Sequence, residues 1–214
     1  MHEILVRIYN FLLITCKLSF LSKVELKIAK DSYLSICEMQ HISGKGNKII
    51  VAEGCKLRGC SFMIKGDENV VIIGKNCKIS KTSFWISGSG NRIEIGDETT
   101  VGNDCQFATL EGTTIIVGKD CMFSHDIRLR TSDSHSIVND QGNRINYAKN
   151  ITIGNHVWVG LESLILKGSV IADDSVIAAR ATVNKQFEQP GCIIAGAPAN
   201  QVKENINWDR RKLK

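Results

Sequence analysis

A recurring interval constrains this chain more than any other feature. An apolar residue, then a small one, then Cys, Thr, Val or Ser three places on, occurs at Val51-Ala52…Cys55, Ile73-Gly74…Cys77, Ile95-Gly96…Thr99, Val117-Gly118…Cys121, Ile153-Gly154…Val157 and Ile171-Ala172…Ser175. The leading apolar residues are 22, 22, 22, 36 and 18 positions apart. Within each unit a step of six recurs: Val51, Leu57, Met63; Ile73, Ile79, Trp85; Ile95, Val101, Phe107; Val117, Phe123, Leu129; Ile153, Val159, Ile165; Ile171, Ile177, Val183. Four places after many of these stands a small residue, among them Cys55, Ser61, Cys77, Ser83, Thr99, Cys105, Cys121, Ser163, Ser175 and Ala181.

A period of six rich in β-branched residues does not fit the 3.6-residue turn of a helix. It fits short strands, three of which close one triangular coil. The large apolar residue of each step is expected to point inward, with the small residue beside a corner. Stacked coils then pair strand on strand in parallel and bury one apolar column. The residues in excess of a plain coil are expected at one corner, in Gly66-Asp67-Glu68-Asn69, Gly88-Ser89-Gly90-Asn91 and around Glu111-Gly112. The chain is therefore expected to be all-β, a parallel β-helix over residues 28–199 with a protruding loop at 130–150. A solenoid exposes strand edges at both ends, and these need covers. Residues 1–27 are read as an N-terminal cap or oligomer segment, and 200–214, with Val202, Ile206 and Trp208, as a short C-terminal tail.

Composition narrows the class further. The chain is 43% hydrophobic and 23% charged, which excludes wholesale disorder and a membrane bundle. The apolar stretch Ile4–Phe20 is interrupted by Arg7, Asn10, Thr15 and Lys17, too short and too broken to span a bilayer. A cap or an oligomer contact is favoured over peripheral membrane contact, because the polar face is not strongly basic. With no secretory signal, a cytoplasmic location is expected. The net charge of +5 suits an anionic ligand without demanding nucleic acid, and the run Arg210, Arg211, Lys212, Lys214 reads as a solvated tail. The eight cysteines (Cys16, Cys37, Cys55, Cys60, Cys77, Cys105, Cys121, Cys192) include no C-x-x-C pair. Four of them, Cys55, Cys77, Cys105 and Cys121, fall on the repeat, so the cysteines are read as small interior residues, not bridges or metal ligands.

The 36-residue interval is the informative irregularity. Its surplus of 14 over 22 falls after Leu129, within the segment RTSDSHSIVNDQGNRINYAKN, Arg130 to Asn150, which holds Asp133, His135, Asp140 and Arg144. A long polar loop on a rigid scaffold is a usual seat of function. A solvated surface loop is the alternative, and the loop by itself leaves the two level.

The hexapeptide steps, the loop, IGNHVWVG (Ile153–Gly160) and AGAPAN (Ala195–Asn200) together resemble the hexapeptide-repeat acyltransferases across roughly residues 48–203. The pattern RTSDSH…GNRIN, with GNHVWVG and VKENINW, is most similar to bacterial O-acetyltransferases of capsular or surface polysaccharides, sialic-acid polymers among them. The resemblance implies a left-handed parallel β-helix, a homotrimer with active sites between subunits, and acetyl-CoA as donor to a saccharide hydroxyl. It makes His135 the general base, the residue type whose ordinary pKa suits that task near neutrality. Asp133, on the same face of an extended segment, would orient the imidazole.

Carried over by position, the CoA contacts are Trp158, Gly160, Leu161, Ala178, Ala179, Asn184, Lys185, Ala197, Pro198 and Lys203. Asn184 departs from the commoner Thr or Ser, and Leu161 from the polar residue of some relatives, which leaves only its backbone as a contact. Trp158 stands either beside the thioester, where it would share in catalysis, or in subunit packing. Asp104, Gln106, Arg130 and Arg144 are candidates for binding an acidic acceptor; a structural ion pair is the alternative for the two arginines. No metal is expected, since the spacing of His125, His135 and His156 does not match a three-histidine zinc site. O-acetylation of a saccharide is the expected function. N-acetylation of an amino sugar or nucleotide sugar, and a non-catalytic β-solenoid scaffold, are the alternatives.

Overall fold

The computed structural model describes residues 14–15 and 24–213. Among these the regular elements are all strands, arranged in three parallel sheets of eight, eight and nine strands that form the faces of a prism. The chain visits the faces in fixed order. One coil runs through Asn47–Val51 on the second face, Lys56–Arg58 on the third and Ser61–Lys65 on the first, and Val70–Ile73 then starts the next coil on the second face. Register is maintained from coil to coil: Ile49 pairs with Val71, Val71 with Ile93 and Ile93 with Ile115. The parallel β-helix expected from the repeat is therefore the observed fold.

The inward column is apolar and almost fully excluded from solvent. Ile49, Ile73, Ile79, Ile93, Phe84 and Phe107 are each 0% exposed. Phe62, Phe84 and Phe107 stack with ring centroids 4.9 and 5.6 Å apart. Such pairs add about 0.5–1.5 kcal/mol each beyond the area they bury. The six-residue step needs one correction here. Met63 and Trp85 lie on the outer surface, and their neighbours Phe62 and Phe84 fill the core. The turn between third and first faces is one residue shorter in these two coils than in the coil that runs from Val101 to Phe107. For the same reason the small buried residues at that corner are Cys60 and Thr82, not Ser61 and Ser83.

Each corner closes with its own hydrogen-bond ladder. Between second and third faces, the side chains of Cys55, Cys77, Thr99 and Cys121 donate to the carbonyls of Gly74, Gly96, Gly118 and Gly154 on the next coil. Seven cysteines among the described residues are buried and unbridged; Cys16 lies outside those residues. Burial pushes the thiols of Cys105 and Cys121 up to about 11. Between first and second faces the ladder is asparagine. Asn47 Oδ1 accepts from Asn69 N (3.0 Å), Asn69 Oδ1 from Asn91 N (2.9 Å), and Asn91 Oδ1 from Thr113 N (3.1 Å). The four-residue insertions thus end on a residue that ties one enlarged corner to the next.

At the N-terminal end, Val24–Ile28 already belongs to the second face, beside Asn47–Val51, and Ile14–Thr15 pairs with Cys37–Glu38. The remainder of the cap or oligomer segment assigned to 1–27 lies outside the described residues. At the other end Ala199–Lys203 turns back antiparallel on Ile193–Gly196 and forms the last strand of the third face. No helix among the described residues is long and apolar enough to cross a membrane. Replacing Asn91 with Ala should leave the buried Thr113 N–H without a partner and destabilise the fold by about 1–3 kcal/mol. Thermal and urea unfolding monitored by circular dichroism will read this.

Candidate active site

The long loop leaves the first face after Arg128–Arg130 and re-enters the second face at Ile151–Ile153. An internal clasp holds it. Arg144 Nη1 and Nη2 donate to the two oxygens of Glu111 at 2.7 and 2.9 Å, and Ser132 Oγ donates to Glu111 Oε1 at 2.5 Å. These contacts hold the Glu111 carboxyl down to about 2, the Arg144 hydrogen bond contributing most. Arg144 also reaches the Asn146 carbonyl (3.2 Å) and stacks over Tyr147. Its donors are largely spent on Glu111 and on the loop backbone, a structural ion pair of the kind expected as the alternative for it.

Asn146 is the hub. Its Nδ2 donates to Asp133 Oδ2 (2.7 Å) and to the His135 carbonyl (2.8 Å), and its Oδ1 accepts from Ile137 N (2.7 Å). One buried amide therefore fixes the backbone on both sides of Ser136. Asp133 is bonded by Lys167 Nζ as well as Asn146. The Lys167 hydrogen bond, then that of Asn146, lowers its pKa below the usual carboxylate value. Among the described residues no side chain hydrogen-bonds the His135 ring, which is exposed. The arrangement expected from sequence, Asp133 on the imidazole, is not present within the chain: Asp133 secures the loop and His135 stands free.

Apart from Trp158, the residues assigned to CoA fall into three groups. Gly160 and Leu161 lie on the corner between third and first faces, with Ala178 and Ala179 one coil further along. A Cβ on Gly160 would stand 2.6 Å from Ala179 N, so glycine there serves the stacking of coils. An open cavity of about 460 Å³, lined by Asp126, Arg128, Glu162, Ser163 and Leu164, adjoins this corner. Ala197 and Pro198 form the exposed turn of the terminal hairpin, and Lys203 is exposed on its outer strand. Asn184 and Lys185 follow Thr182–Val183 at the next corner, where Lys185 Nζ donates to Asn200 Oδ1 of the hairpin (2.7 Å).

Trp158 projects from the third face, 39% exposed, with Trp208 of the tail 6.1 Å away. The tail is locked to this face. Trp208 stacks on His156 at 4.2 Å and donates Nε1–H to the His156 carbonyl (2.7 Å). His156 Nδ1 lies 2.7 Å from Asp120 Oδ2, and Arg210 Nε donates to Asp120 Oδ1 (3.0 Å). Burial, the largest single influence, pulls the His156 pKa down. The Asp120 hydrogen bond, the Trp208 carbonyl and the charges of Asp120 and Asp174 outweigh it, and the net shift is upward.

Asp104 sits exposed in a corner turn, and Gln106 begins the strand that places it beside Arg128. Arg130 lies on the first face, its Nη2 donating to Ser134 Oγ (3.2 Å). Sequence reasoning missed Glu111, Asn146 and Lys167. Asn146 carried a trace in the GNRIN run; Glu111 and Lys167 come from neighbouring coils and carried none. No cluster of His, Cys, Asp and Glu able to hold a metal occurs among the described residues.

No family model matches the chain. It is 42% identical to a chloramphenicol acetyltransferase of Morganella morganii over 66 residues, 31% of each chain. It is 35% identical to a polysialic acid O-acetyltransferase of Neisseria meningitidis over 83 residues, 38% of this chain and 39% of the relative. The chain thus spans only about a third of the length of these curated relatives. The solved structure of the polysialic acid O-acetyltransferase OatWY superposes with a TM-score of 0.83 at 32% identity, covering 89% of each chain.

Two pH responses follow from this geometry. The Glu111 carboxyl is depressed from 4.5 to about 2, so its stabilisation of the loop is complete above about 4.5 and is lost as pH falls through the folded value. Protection factors of the 131–150 segment, exchange rates set against the intrinsic rate at each pH, should fall in acid, and Glu111→Gln should show low protection at every pH. His156 shifts the other way, upward from 6.5. Its stabilisation of the tail is complete below 6.5 and fades as pH rises through the folded value. Protection factors of residues 204–213, exchange rates set against the intrinsic rate at each pH, should therefore fall in alkali, and His156→Asn should abolish that dependence.

Proposed function

Because the chain belongs to the family of left-handed β-helix acetyltransferases that includes the polysialic acid O-acetyltransferases, we propose that it is an O-acetyltransferase carrying an acetyl group from acetyl-CoA to a hydroxyl of a surface or capsular saccharide or its precursor. The observation that carries this reading is the exposed imidazole of His135, unpartnered among the described residues and held out on a loop anchored by Glu111, Asn146 and Lys167. A sugar hydroxyl is almost wholly protonated at neutral pH. On this reading His135 takes that proton as the oxygen attacks the thioester carbonyl. The tetrahedral oxyanion collapses, the C–S bond breaks, and the imidazolium returns the proton to the CoA thiolate. N–H donors at the donor corner, or the Trp158 indole, steady the oxyanion.

The donor corner suits a long, flexible, anionic thioester. Backbone groups at Gly160, Leu161, Ala178 and Ala179 repeat at the strand spacing of about 4.8 Å. The adjoining cavity is open, and Ala197 and Pro198 form an exposed wall for the adenine. Lys203 supplies a cation for phosphate, while Lys185 is held on Asn200. Asp133 acts through Asn146 as a positioning residue, since its carboxylate does not touch the base.

The loop leaves the prism between first and second faces, and the donor corner lies between third and first faces. One chain therefore carries the two halves of the machinery on different corners. A homotrimer, in which the loop of one subunit meets the donor corner of its neighbour, joins them.

The test is CoA release and acetyl transfer over a panel of saccharides. Wild type should acetylate a hydroxyl, and His135→Ala should lose roughly 10²–10⁴-fold in rate with unchanged melting. Full activity in that variant would remove His135 as the base. Acceptance of amines alone would shift the reading to N-acetylation, and no binding of CoA would favour a scaffold.

A further inference from the structure

The segment that carries His135 is anchored by four charged side chains drawn from the loop and the coils on either side of it. Glu111 belongs to the coil before, Asp133 and Arg144 to the loop, and Lys167 to the coil after. They form two ion pairs, Arg144 with Glu111 and Lys167 with Asp133, so the four charges cancel. Lys167 reaches this place by register. Leu166 pairs with Arg130, the last strand residue before the loop, and Lys167 follows at the loop's foot. Its ammonium donates to Asp133 Oδ2 and to the Asn146 carbonyl (3.1 Å). Its side chain is 21% exposed, the least among the described lysines that form ion pairs, so water screens this pair less than the others.

Asp133 stands near the histidine without binding its ring. A single nitrogen, Asn146 Nδ2, donates both to Asp133 Oδ2 (2.7 Å) and to the His135 carbonyl (2.8 Å). An uncompensated carboxylate at such range favours the charged form of an imidazole, and an imidazolium cannot take the hydroxyl proton. The other cations at the loop's foot do not replace Lys167. Arg144 is committed to Glu111, and Arg130, at the loop's entry, donates to Ser134. Asn146 binds the carboxylate but carries no charge. Among the described residues, Lys167 alone both binds Asp133 and cancels its charge.

We propose that Lys167 is a positioning residue of the reaction: it holds Asp133 in the loop anchor and cancels the charge this carboxylate would otherwise set beside His135, so that the imidazole stays free to accept a proton. This rests on the reading of His135 as general base and adds the group that keeps the base in its working form.

The test follows the His135 ring itself, by NMR titration of the intact protein with isotope-labelled histidine, beside the pH profile of kcat/KM for acetyl transfer. The ring signal is assigned by its loss in His135→Ala. Lys167→Met removes the ammonium at nearly constant volume. It should raise the His135 midpoint, and with it the acid limb of the profile, by roughly half a pH unit, so that the rate on that limb falls roughly threefold. Lys167→Arg should hold the wild-type midpoint. Asp133→Asn leaves the ammonium uncompensated and should move the midpoint downward. The double variant Lys167→Met, Asp133→Asn should return it to the wild-type value. A lysine that only braced the loop would lower the melting temperature or the plateau rate and leave the midpoint in place. An unmoved midpoint in folded Lys167→Met, with wild-type acetyl transfer intact, would overturn the proposal and leave the acetyltransferase reading standing. Should Lys167→Met fail to fold, Asp133→Asn decides by the sign of its shift: downward upholds the proposal, upward or none refutes it. A wild type that transfers no acetyl group sinks the reading beneath the proposal, and the proposal with it.

Discussion

The molecule rests on the hydrogen bonding of each coil to the next. Strands two or three residues long, such as Thr100–Val101 or Trp158–Val159, have too few ladder bonds to exist alone. They persist because the turns join the ladder too. Gly96 N donates to Val117 O, Gly118 N to Ile153 O and Gly154 N to Ile171 O, continuing the column through the corner. Corner side chains take up the remaining carbonyls, thiol and hydroxyl on one edge and amide on another. A stack of this kind transmits register without any single large contact, and stability is shared between neighbouring coils.

That sharing explains how the fold tolerates its interruption. Across the 36-residue interval the second face does not slip: Ile115 pairs with Ile151 and Val117 with Ile153, as if no loop intervened. The inserted residues cost mainly closure entropy, which grows slowly with length. What then orders the loop is a short list of polar groups. Glu111 arrives from the coil before it, Lys167 from the coil after, and Arg144 and Asn146 from the loop itself. The scaffold grips the insertion from both sides, and this is how an irregular segment comes to hold one ring in a defined place.

The repeat was legible because burial forces it: a residue facing the column must be apolar in every coil, and the interval of 22 survives any variation outside. Which of two adjacent apolar residues faces inward was less legible. Phe62 and Met63, or Phe84 and Trp85, are equally hydrophobic on paper, and a corner shorter by one residue exchanges them. The loop's length and its histidine also stood out in sequence. The partner of Asp133 did not. Proximity in sequence suggested His135, two residues away, whereas the stack brings Lys167 to it from 34 residues away. Contacts made by stacking carry no local signature, so the clasp could be found only in three dimensions.

The imidazole of His135, free among the described residues, gains meaning from that exchange of partners. A carboxylate on the ring would fix its orientation before any substrate arrived. Here the carboxylate is neutralised by an ammonium, and Asn146 fixes only the backbone around the histidine. On the proposed reading, the ring takes its final orientation from groups that arrive with the acceptor and with the neighbouring subunit. Base, donor corner and acceptor then come into one geometry only in the assembled, loaded enzyme. Such a division limits idle hydrolysis of the thioester, because water that reaches one half of the machinery does not meet the other.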